Sequence, residues 1–165
     1  HVITCVVDNE FGVLARVIGL FSGRGYNIES LTVAEISEEQ NLSRITIVTT
    51  GSDMIIEQIK ALLERVIPVH KVIDLTVESA HVERELALLK VVAEGKNRAE
   101  VLKTVDEFHS TIVDSTKNSY IFEKTGTPQE IDTLINLLKP LGLIEVCRTG
   151  STAISRGAAG LKIDS

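Results

Sequence analysis

The spacing of apolar residues changes along the first half of the chain, and each change predicts a new element of secondary structure. Residues 2–7 (VITCVV) form a β-branched run typical of a buried strand. Two later runs carry apolar side chains at helical spacing: Val13, Leu14, Val17, Ile18, Leu20 and Phe21, then Ile55, Ile56, Ile59, Leu62, Leu63 and Val66. Further strands are predicted at residues 28–36, 42–50 and 70–77. The order is strand, helix, strand, strand, helix, strand, which is the ferredoxin-like arrangement.

The second half repeats this order of predicted elements, although the two halves do not share the same residues. Strands are predicted at residues 85–93, 111–114, 120–123 and 143–148. Asn97 is predicted to cap one helix, with Glu100 three residues on, and Thr127, Pro128 and Glu130 give a strong start for the other. The fold class is therefore α+β with two ferredoxin-like units. The predicted domains are residues 1–78 and 84–165, with a loosely ordered tail from Thr149 onward.

Composition and charge narrow the class of protein. Hydrophobic residues make up 44% of the 165 residues, enough for a core, and aromatic residues only 4%. The formal net charge of −6 argues against a general nucleic-acid binder, because binding phosphates requires a basic face. No apolar run long enough to span a membrane and no signal peptide is found, so we expect a cytoplasmic protein. Cys5 and Cys147 lie in apolar runs and are predicted to be buried, reduced thiols.

Catalytic chemistry is not indicated by any spacing of reactive residues. The four histidines are scattered, and none stands near a Cys, Ser or Asp at the spacing of a known motif. Gly23 and Gly25 follow a helix, whereas a phosphate-binding loop opens one. The acidic pairs are typical of solvated surface. We predict no catalytic residue, no metal site and no cofactor in this chain.

The most informative stretch, residues 8–33, joins two strands through the first helix. Gly12 stands at the helix entry, and Gly25 stands just past its end, where a left-handed cap is common. Asn9 and Asn27 lie in the entry and exit turns. Spacing alone favours local turn bonding for both asparagines, and contact with a ligand at the helix start is the alternative.

A free amino acid needs an anion site, a polar partner and an apolar pocket close together, and this stretch can supply all three. The hypothesis places the ligand carboxylate on the backbone N–H groups near Gly12 and Val13. Asn9 and Asn27 would contact the polar end of the ligand. Its aliphatic side would rest on Leu14 and Ile28.

Four stretches also carry a family resemblance: residues 12–34 (GVLARVIGLFSGRGYNIESLTVA), 42–47 (LSRITI), 80–91 (AHVERELALLKV) and 154–157 (ISRG). Together they resemble the small regulatory subunit of acetolactate synthase, also called acetohydroxyacid synthase, in the ACT-domain family. The resemblance implies that the first unit is an ACT domain. It also implies a non-catalytic subunit in branched-chain amino acid biosynthesis that activates the catalytic subunit. Feedback would come from valine, with leucine or isoleucine as weaker effectors.

The resemblance extends to partners and site residues. It matches Asn9, Gly12 and Asn27, joined by Thr32 and Ala34 on the adjacent strand and Gln58 on the second helix. The site would lie between two ACT units of a homodimer. The partner would be the large catalytic subunit, which carries thiamine diphosphate, magnesium and FAD and condenses pyruvate with pyruvate or 2-oxobutyrate. AHVERE and the C-terminal half are assigned to partner contact and dimer packing.

One position departs from the family pattern. Phe11 stands where the family often has a small polar residue, which leaves the effector preference open. An ACT-type sensor for another metabolic enzyme is the alternative function, and it would bind ligand without stimulating acetolactate formation. A ferredoxin-like RNA-binding module is disfavoured because the strands lack stacking aromatics and basic flanks.

Overall fold

The computed structural model describes residues 1–161, which divide into two units. The first unit comprises residues 1–82 together with the described residues after Gly150, and the second comprises residues 83–150. Each unit has two helices of three or more turns against an antiparallel four-stranded sheet, so the predicted fold class is confirmed. The predicted ranges differ from these units mainly in the C-terminal segment, which the prediction placed with the second domain.

The first unit has the predicted element order. Its elements are β1 (Val2–Asp8), α1 (Val13–Gly23), β2 (Ser30–Ser37), β3 (Leu42–Val48), α2 (Asp53–Glu64) and β4 (Val69–Asp74). The strands lie in the order β2-β3-β1-β4, so β2 is an edge strand. Alternate residues of β1, including Ile3, Cys5 and Val7, pack against Val17 and Phe21 of α1. Burial raises the pKa of the Cys5 thiol to about 12, which keeps it protonated, as predicted for a core cysteine.

The end of β4 differs from the prediction. Residues 75–77 were predicted as strand, but Leu75–Glu78 form one helical turn, α3. The Asp74 carboxylate accepts a hydrogen bond from the Thr76 N–H at 3.1 Å, and the Glu78 carboxylate accepts one from the Asp74 N–H at 2.6 Å. These two side chains accept hydrogen bonds from the N–H groups at the start of the turn. This stabilises the turn more than the strand propensity of the apolar residues at 75–77 favours a strand.

The second unit repeats the topology. Its elements are β5 (His81–Val92), α4 (Lys96–Glu107), β6 (Thr111–Ser115), β7 (Ser119–Gly126), α5 (Pro128–Leu138) and β8 (Leu143–Arg148). The strand order is β6-β7-β5-β8. The predicted start of α5 is confirmed, because the Thr127 hydroxyl accepts from the Glu130 N–H at 3.2 Å. The predicted cap of α4 is wrong: Gly95 is the N-cap residue, and Asn97 lies inside the helix.

The C-terminal segment has a structure that the sequence did not predict. Thr152–Ser155 form a strand, β9. The small side chain of Ala153 is buried in a cluster with Val2 and Leu75 of the first unit. Its carbonyl accepts a hydrogen bond from the Arg44 guanidinium at 2.8 Å. These contacts order a stretch whose Gly, Ser and Ala content suggested a loose tail.

The two cysteines differ in exposure. Cys5 is buried as predicted, whereas Cys147 is exposed, so the prediction of a buried thiol is wrong there. Cys147 lies on β8, where it pairs with Leu88 of β5. When helices cover only one face of a sheet, a run of apolar residues in the sequence does not show which of them lie on the covered face.

Candidate functional site

The loop between β1 and α1 is anchored at its start. The Asn9 N–H donates to the Asn41 carbonyl at 2.8 Å, and the Asp8 N–H donates to the Pro68 carbonyl at 2.9 Å. The His70 ring Nε2 lies 2.5 Å from the Asp8 carboxylate. Sequence reasoning missed Asn41. The signal for Asn41 was its place at the end of a polar turn, where asparagine tolerates its observed φ of 56°.

Gly12 lies at the open start of α1. It is the N-cap residue with φ 86° and ψ −6°, a left-handed conformation that favours glycine. No side chain caps this helix, and its first turn holds no acidic residue. No heavy atom lies within 4 Å of the position that a Cβ would take at Gly12, apart from its chain neighbours. The positive end of the α1 dipole therefore faces open space.

One backbone bond at this helix start is long. The Val13 N–H points to the Glu10 carbonyl at 3.4 Å, at the weak end of the hydrogen-bond range. The Gly12 carbonyl already accepts from the Arg16 N–H at 3.1 Å, as the first bond of the helix. Donors in the first turn thus remain available for an anion.

The side chains around Gly12 divide between core and solvent. Val13 is buried in the core and holds the helix in place, whereas Leu14 is exposed and Phe11 is fully exposed. Two apolar side chains therefore flank the open helix start. This combination suits a ligand that has both an anionic and an aliphatic part.

Asn27 and Ile28 lie in the exit turn after α1. The turn is fixed by two bonds: the Tyr26 N–H donates to the Phe21 carbonyl at 2.9 Å, and the Thr49 hydroxyl donates to the Asn27 carbonyl at 2.5 Å. Ile28 packs partly against the core, and Asn27 is exposed. The backbone of Asn27 is thus held while its side chain faces solvent.

Thr32 and Ala34 occupy the other face of the sheet. They pair with Thr46 and Arg44 of β3, and they alternate with Leu31, which packs on the core beneath the helices. Successive residues of a strand point to opposite faces, so Thr32 and Ala34 lie on the face away from α1. One copy of the chain therefore does not bring them to the Gly12 loop.

Gln58 lies on the exposed side of α2. Its side-chain oxygen accepts a hydrogen bond from the Tyr26 hydroxyl at 3.1 Å. This contact places Gln58 beside the end of α1, next to Arg24 and Arg65 in a surface cleft.

Other kinds of site were searched in the described part of the chain. Residues 1–161 contain no group of three His, Cys, Asp or Glu side chains arranged to hold a metal ion. Among the helices described, none combines the length and apolar character needed to cross a membrane.

Comparison with known proteins agrees with this architecture. The topology and the glycine loop of the first unit define an ACT-type domain, and residues 3–71 match the family described as AHAS small subunit-like ACT domain. Residues 84–157 match the family described as small subunit of acetolactate synthase. Two family matches in series thus cover most of both units.

Individual relatives give the same result over nearly the whole chain. The acetolactate synthase small subunit of Aquifex aeolicus is 46% identical over 157 residues, covering 94% of this chain and 81% of that protein. The acetolactate synthase isozyme 3 small subunit of Escherichia coli is 41% identical, covering 95% and 96%. The crystal structure of the small subunit from Thermotoga maritima superposes with a TM-score of 0.84 at 37% identity, covering 96% and 98%. The chain belongs to the acetolactate synthase small-subunit family.

Proposed function

We propose that this chain is the regulatory subunit of acetolactate synthase in cytoplasmic branched-chain amino acid biosynthesis. It raises the activity of the catalytic large subunit and makes that activity sensitive to feedback inhibition by valine. Leucine and isoleucine act as weaker effectors. The observation that carries the proposal is the uncapped start of α1 behind left-handed Gly12, flanked by the exposed apolar side chains of Phe11 and Leu14, in a chain of this family.

The effector carboxylate binds at the helix start. The N–H groups of the first turn and the α1 dipole stabilise its negative charge. The long bond from the Val13 N–H to the Glu10 carbonyl, at 3.4 Å, is weak enough for a carboxylate to replace it. The space in front of Gly12 leaves room for the ligand oxygen atoms.

The rest of the effector contacts short polar and aliphatic side chains. Asn9 and Asn27 provide amide oxygens that accept hydrogen bonds from the ammonium group. Leu14 and Ile28 contact the branched side chain. Phe11, which is fully exposed, adds apolar surface at the rim and favours an aliphatic over a polar effector.

Two copies of the chain form the complete site. β2 is the edge strand of the first sheet, and its Val33 and Ile36 side chains are exposed, so a second copy can pair with this edge. Because one copy does not bring Thr32, Ala34 or Gln58 to the Gly12 loop, we assign these three positions to the partner copy's side of the site. Effector affinity therefore depends on dimerisation.

Inhibition follows as an equilibrium between two arrangements of the subunit. Valine lowers the rate only if it binds one arrangement more tightly and that arrangement positions the large subunit differently. A coupling free energy of about 1–3 kcal/mol is typical and sufficient. The large subunit carries thiamine diphosphate, magnesium and FAD, and it condenses pyruvate with pyruvate or 2-oxobutyrate.

The test is the acetolactate synthase activity of the cognate large subunit, measured with and without this chain across a valine titration. We expect the chain to raise the rate and valine to lower it only when the chain is present. Calorimetry of valine with the chain alone separates the alternatives. Valine binding without any effect on the rate would assign the chain to another amino-acid enzyme, and absence of both effects would overturn the proposal.

A further inference from the structure

A second cleft opens on the helical side of the first unit. It has a volume of about 300 Å³ and is lined by Arg24, Tyr26, Gln58, Ala61, Leu62 and Arg65. Four of these residues come from α2 and its C-cap at spacings of three and four, so they form one stripe on the helix. Arg24 and Tyr26 follow the end of α1.

The guanidinium groups of the two arginines in this cleft form no side-chain hydrogen bond or ion pair with the described residues. Five of the eight arginines in the chain donate to a carbonyl or a carboxylate: Arg44, Arg84, Arg98, Arg148 and Arg156. Among the described residues, no side-chain hydrogen bond or ion pair involves the guanidinium of Arg16, Arg24 or Arg65. Two of these three line the same cleft, in a chain whose net charge is −6.

The neutral polar groups of the cleft add donors. The Tyr26 hydroxyl donates to the side-chain oxygen of Gln58 at 3.1 Å, which fixes the orientation of the amide. The oxygen of Gln58 is therefore occupied, and its NH₂ group is left as a donor toward the cleft. No acidic side chain is among the described residues that line it.

The acidic residues of α2 belong to the neighbouring stripe. Glu57 and Glu64 lie within electrostatic reach of Lys60, whose pKa is raised first by its hydrogen bond to Glu78 and then by these charges. Positions 57, 60 and 64 share one side of the helix, and positions 58, 62 and 65 share the next. The positive charge of Arg24 and Arg65 is thus separated from the acidic stripe.

We propose that this cleft binds a phosphorylated metabolite with a small apolar body. Two guanidinium groups and an amide NH₂ group bind the phosphate oxygens, as arginines do in phosphate sites generally. The Tyr26 ring and Leu62 form the wall against which the apolar body packs. This site does not rest on the effector proposal, and the two assignments have only Gln58 in common.

The test uses the full chain and two probes, inorganic phosphate and phenyl phosphate, at constant ionic strength. Binding is followed by the NMR signals of the arginine Nε–H groups and by an equilibrium titration. We expect shifts confined to Arg24 and Arg65, and tighter binding of phenyl phosphate than of inorganic phosphate. Arg24→Gln and Arg65→Gln should each weaken binding about tenfold, and the double variant should abolish it.

Arg16→Gln is the matched control. Arg16 is also exposed and forms no side-chain hydrogen bond or ion pair with the described residues, but it lies outside the cleft. We expect it to change the affinity less than twofold. Equal losses from Arg16→Gln and the cleft variants would show general charge attraction and overturn the proposal, as would absence of millimolar binding. Valine calorimetry on the double variant keeps the two sites apart, since loss of phosphate binding with intact valine binding concerns this cleft alone.

Discussion

The two units share one topology, and a comparison of their helix starts separates what the fold requires from what a ligand requires. In each unit the first helix follows a glycine with positive φ and has no side-chain cap: Gly12 at 86° and Gly95 at 60°. In each unit the second helix is capped by a hydroxyl, from Ser52 or Thr127. An uncapped first helix is therefore a property of both units and does not by itself identify a binding site.

What differs is the surroundings of the two open helix starts. The first turn of α4 is basic, and its Arg98 donates to the Lys117 carbonyl at 2.6 Å and lies 5.0 Å over the Tyr120 ring. The first turn of α1 is apolar and is flanked by exposed Phe11 and Leu14. Of the two helix starts, the one at α1 combines an uncapped first turn with exposed apolar side chains.

The helix-free faces of the two sheets differ as well. In the first unit, Val2, Thr4 and Val6 of β1 are buried, and Ala153 packs beside Val2. In the second unit, Leu88 and Cys147 of the corresponding face are exposed and line a cleft of about 160 Å³. The C-terminal segment thus contributes to the packing of the first unit.

The largest expected effect tests that difference. Truncation after Gly150 removes the Ala153 contact and re-exposes Val2 and Leu75, and we expect it to destabilise the first unit by about 3 kcal/mol. The two tyrosines provide the measurement, because Tyr26 lies in the first unit, Tyr120 lies in the second, and the chain has no tryptophan. Urea unfolding is followed by tyrosine fluorescence. In the Tyr120→Phe background the remaining Tyr26 reports the first unit, and in the Tyr26→Phe background Tyr120 reports the second.

Truncation after Gly157 is the control, since it keeps β9 and the Ala153 contacts. We expect the midpoint of the Tyr26 transition to be unchanged in this control and to fall in the shorter chain. The Tyr120 transition should move little in either. Equal midpoints in the two truncated chains would show that β9 contributes nothing to the stability of the first unit.

The next effect concerns the helix starts. Gly12→Asp should weaken valine binding about 100-fold, equivalent to about 2.7 kcal/mol, because a second carboxylate would occupy the anion site. Feedback inhibition should be lost while activation of the large subunit remains. Valine calorimetry and the activity titration measure the two properties.

Two variants sharpen this result. Gly12→Asn has a similar size and tolerates positive φ but adds no charge, so it should weaken binding much less than Gly12→Asp. Gly95→Asp places the same carboxylate at the equivalent helix start of the second unit and should leave valine affinity unchanged. Undiminished valine binding by Gly12→Asp would remove the effector carboxylate from this loop.

Most of the fold was readable from the sequence because periodicity depends on local geometry. The helices and strands followed from apolar spacing, and the start of α5 followed from Thr127, Pro128 and Glu130, whose side-chain bond forms within one turn. The sequence failed where distant residues decide the structure. β9 depends on Val2, Leu75 and Arg44, which are all distant from it in the chain.

The candidate site shows the same division. The left-handed conformation of Gly12 and the exposure of Asn9 and Asn27 follow from local turn chemistry. The separation of Thr32 and Ala34 onto the face away from α1 depends on strand pairing, which the linear spacing of these residues does not reveal. The resemblance supplied these two positions, and their assignment as effector-binding residues stays a prediction.

A smaller effect is expected at the second helix of each unit. Thr127→Ala removes the acceptor for the Glu130 N–H, and Ser52→Ala removes that for the Ile55 N–H. Loss of such a cap typically costs about 1 kcal/mol. Each variant should lower only the unfolding midpoint of its own unit, as reported by the tyrosine of that unit. A shift of both midpoints by Thr127→Ala would show that the units unfold together.

The smallest expected effect distinguishes two ion pairs of equal length. Lys60 pairs with Glu78 in the first unit and Lys90 pairs with Glu145 in the second, each at 3.0 Å. Glu78 also accepts a hydrogen bond from the Asp74 N–H. Burial alone would raise the pKa of Glu78, but these two hydrogen bonds outweigh it and hold the pKa below the ordinary value of 4.5.

Because the pKa of Glu78 is lower in the folded state, its charged form stabilises the first unit at pH values above the unfolded-state pKa. This contribution is lost as the pH falls through the folded-state pKa. Glu78→Gln should therefore lower the stability of the first unit by less than about 1 kcal/mol at neutral pH, and the difference from the parent chain should disappear below the ordinary carboxyl range. Urea unfolding in the Tyr120→Phe background, repeated from pH 7 downward, measures it. Glu145→Gln should change the second unit less, because it removes only an exposed ion pair. A difference between Glu78→Gln and the parent that grows as the pH falls would contradict the stabilising role of the Glu78 charge.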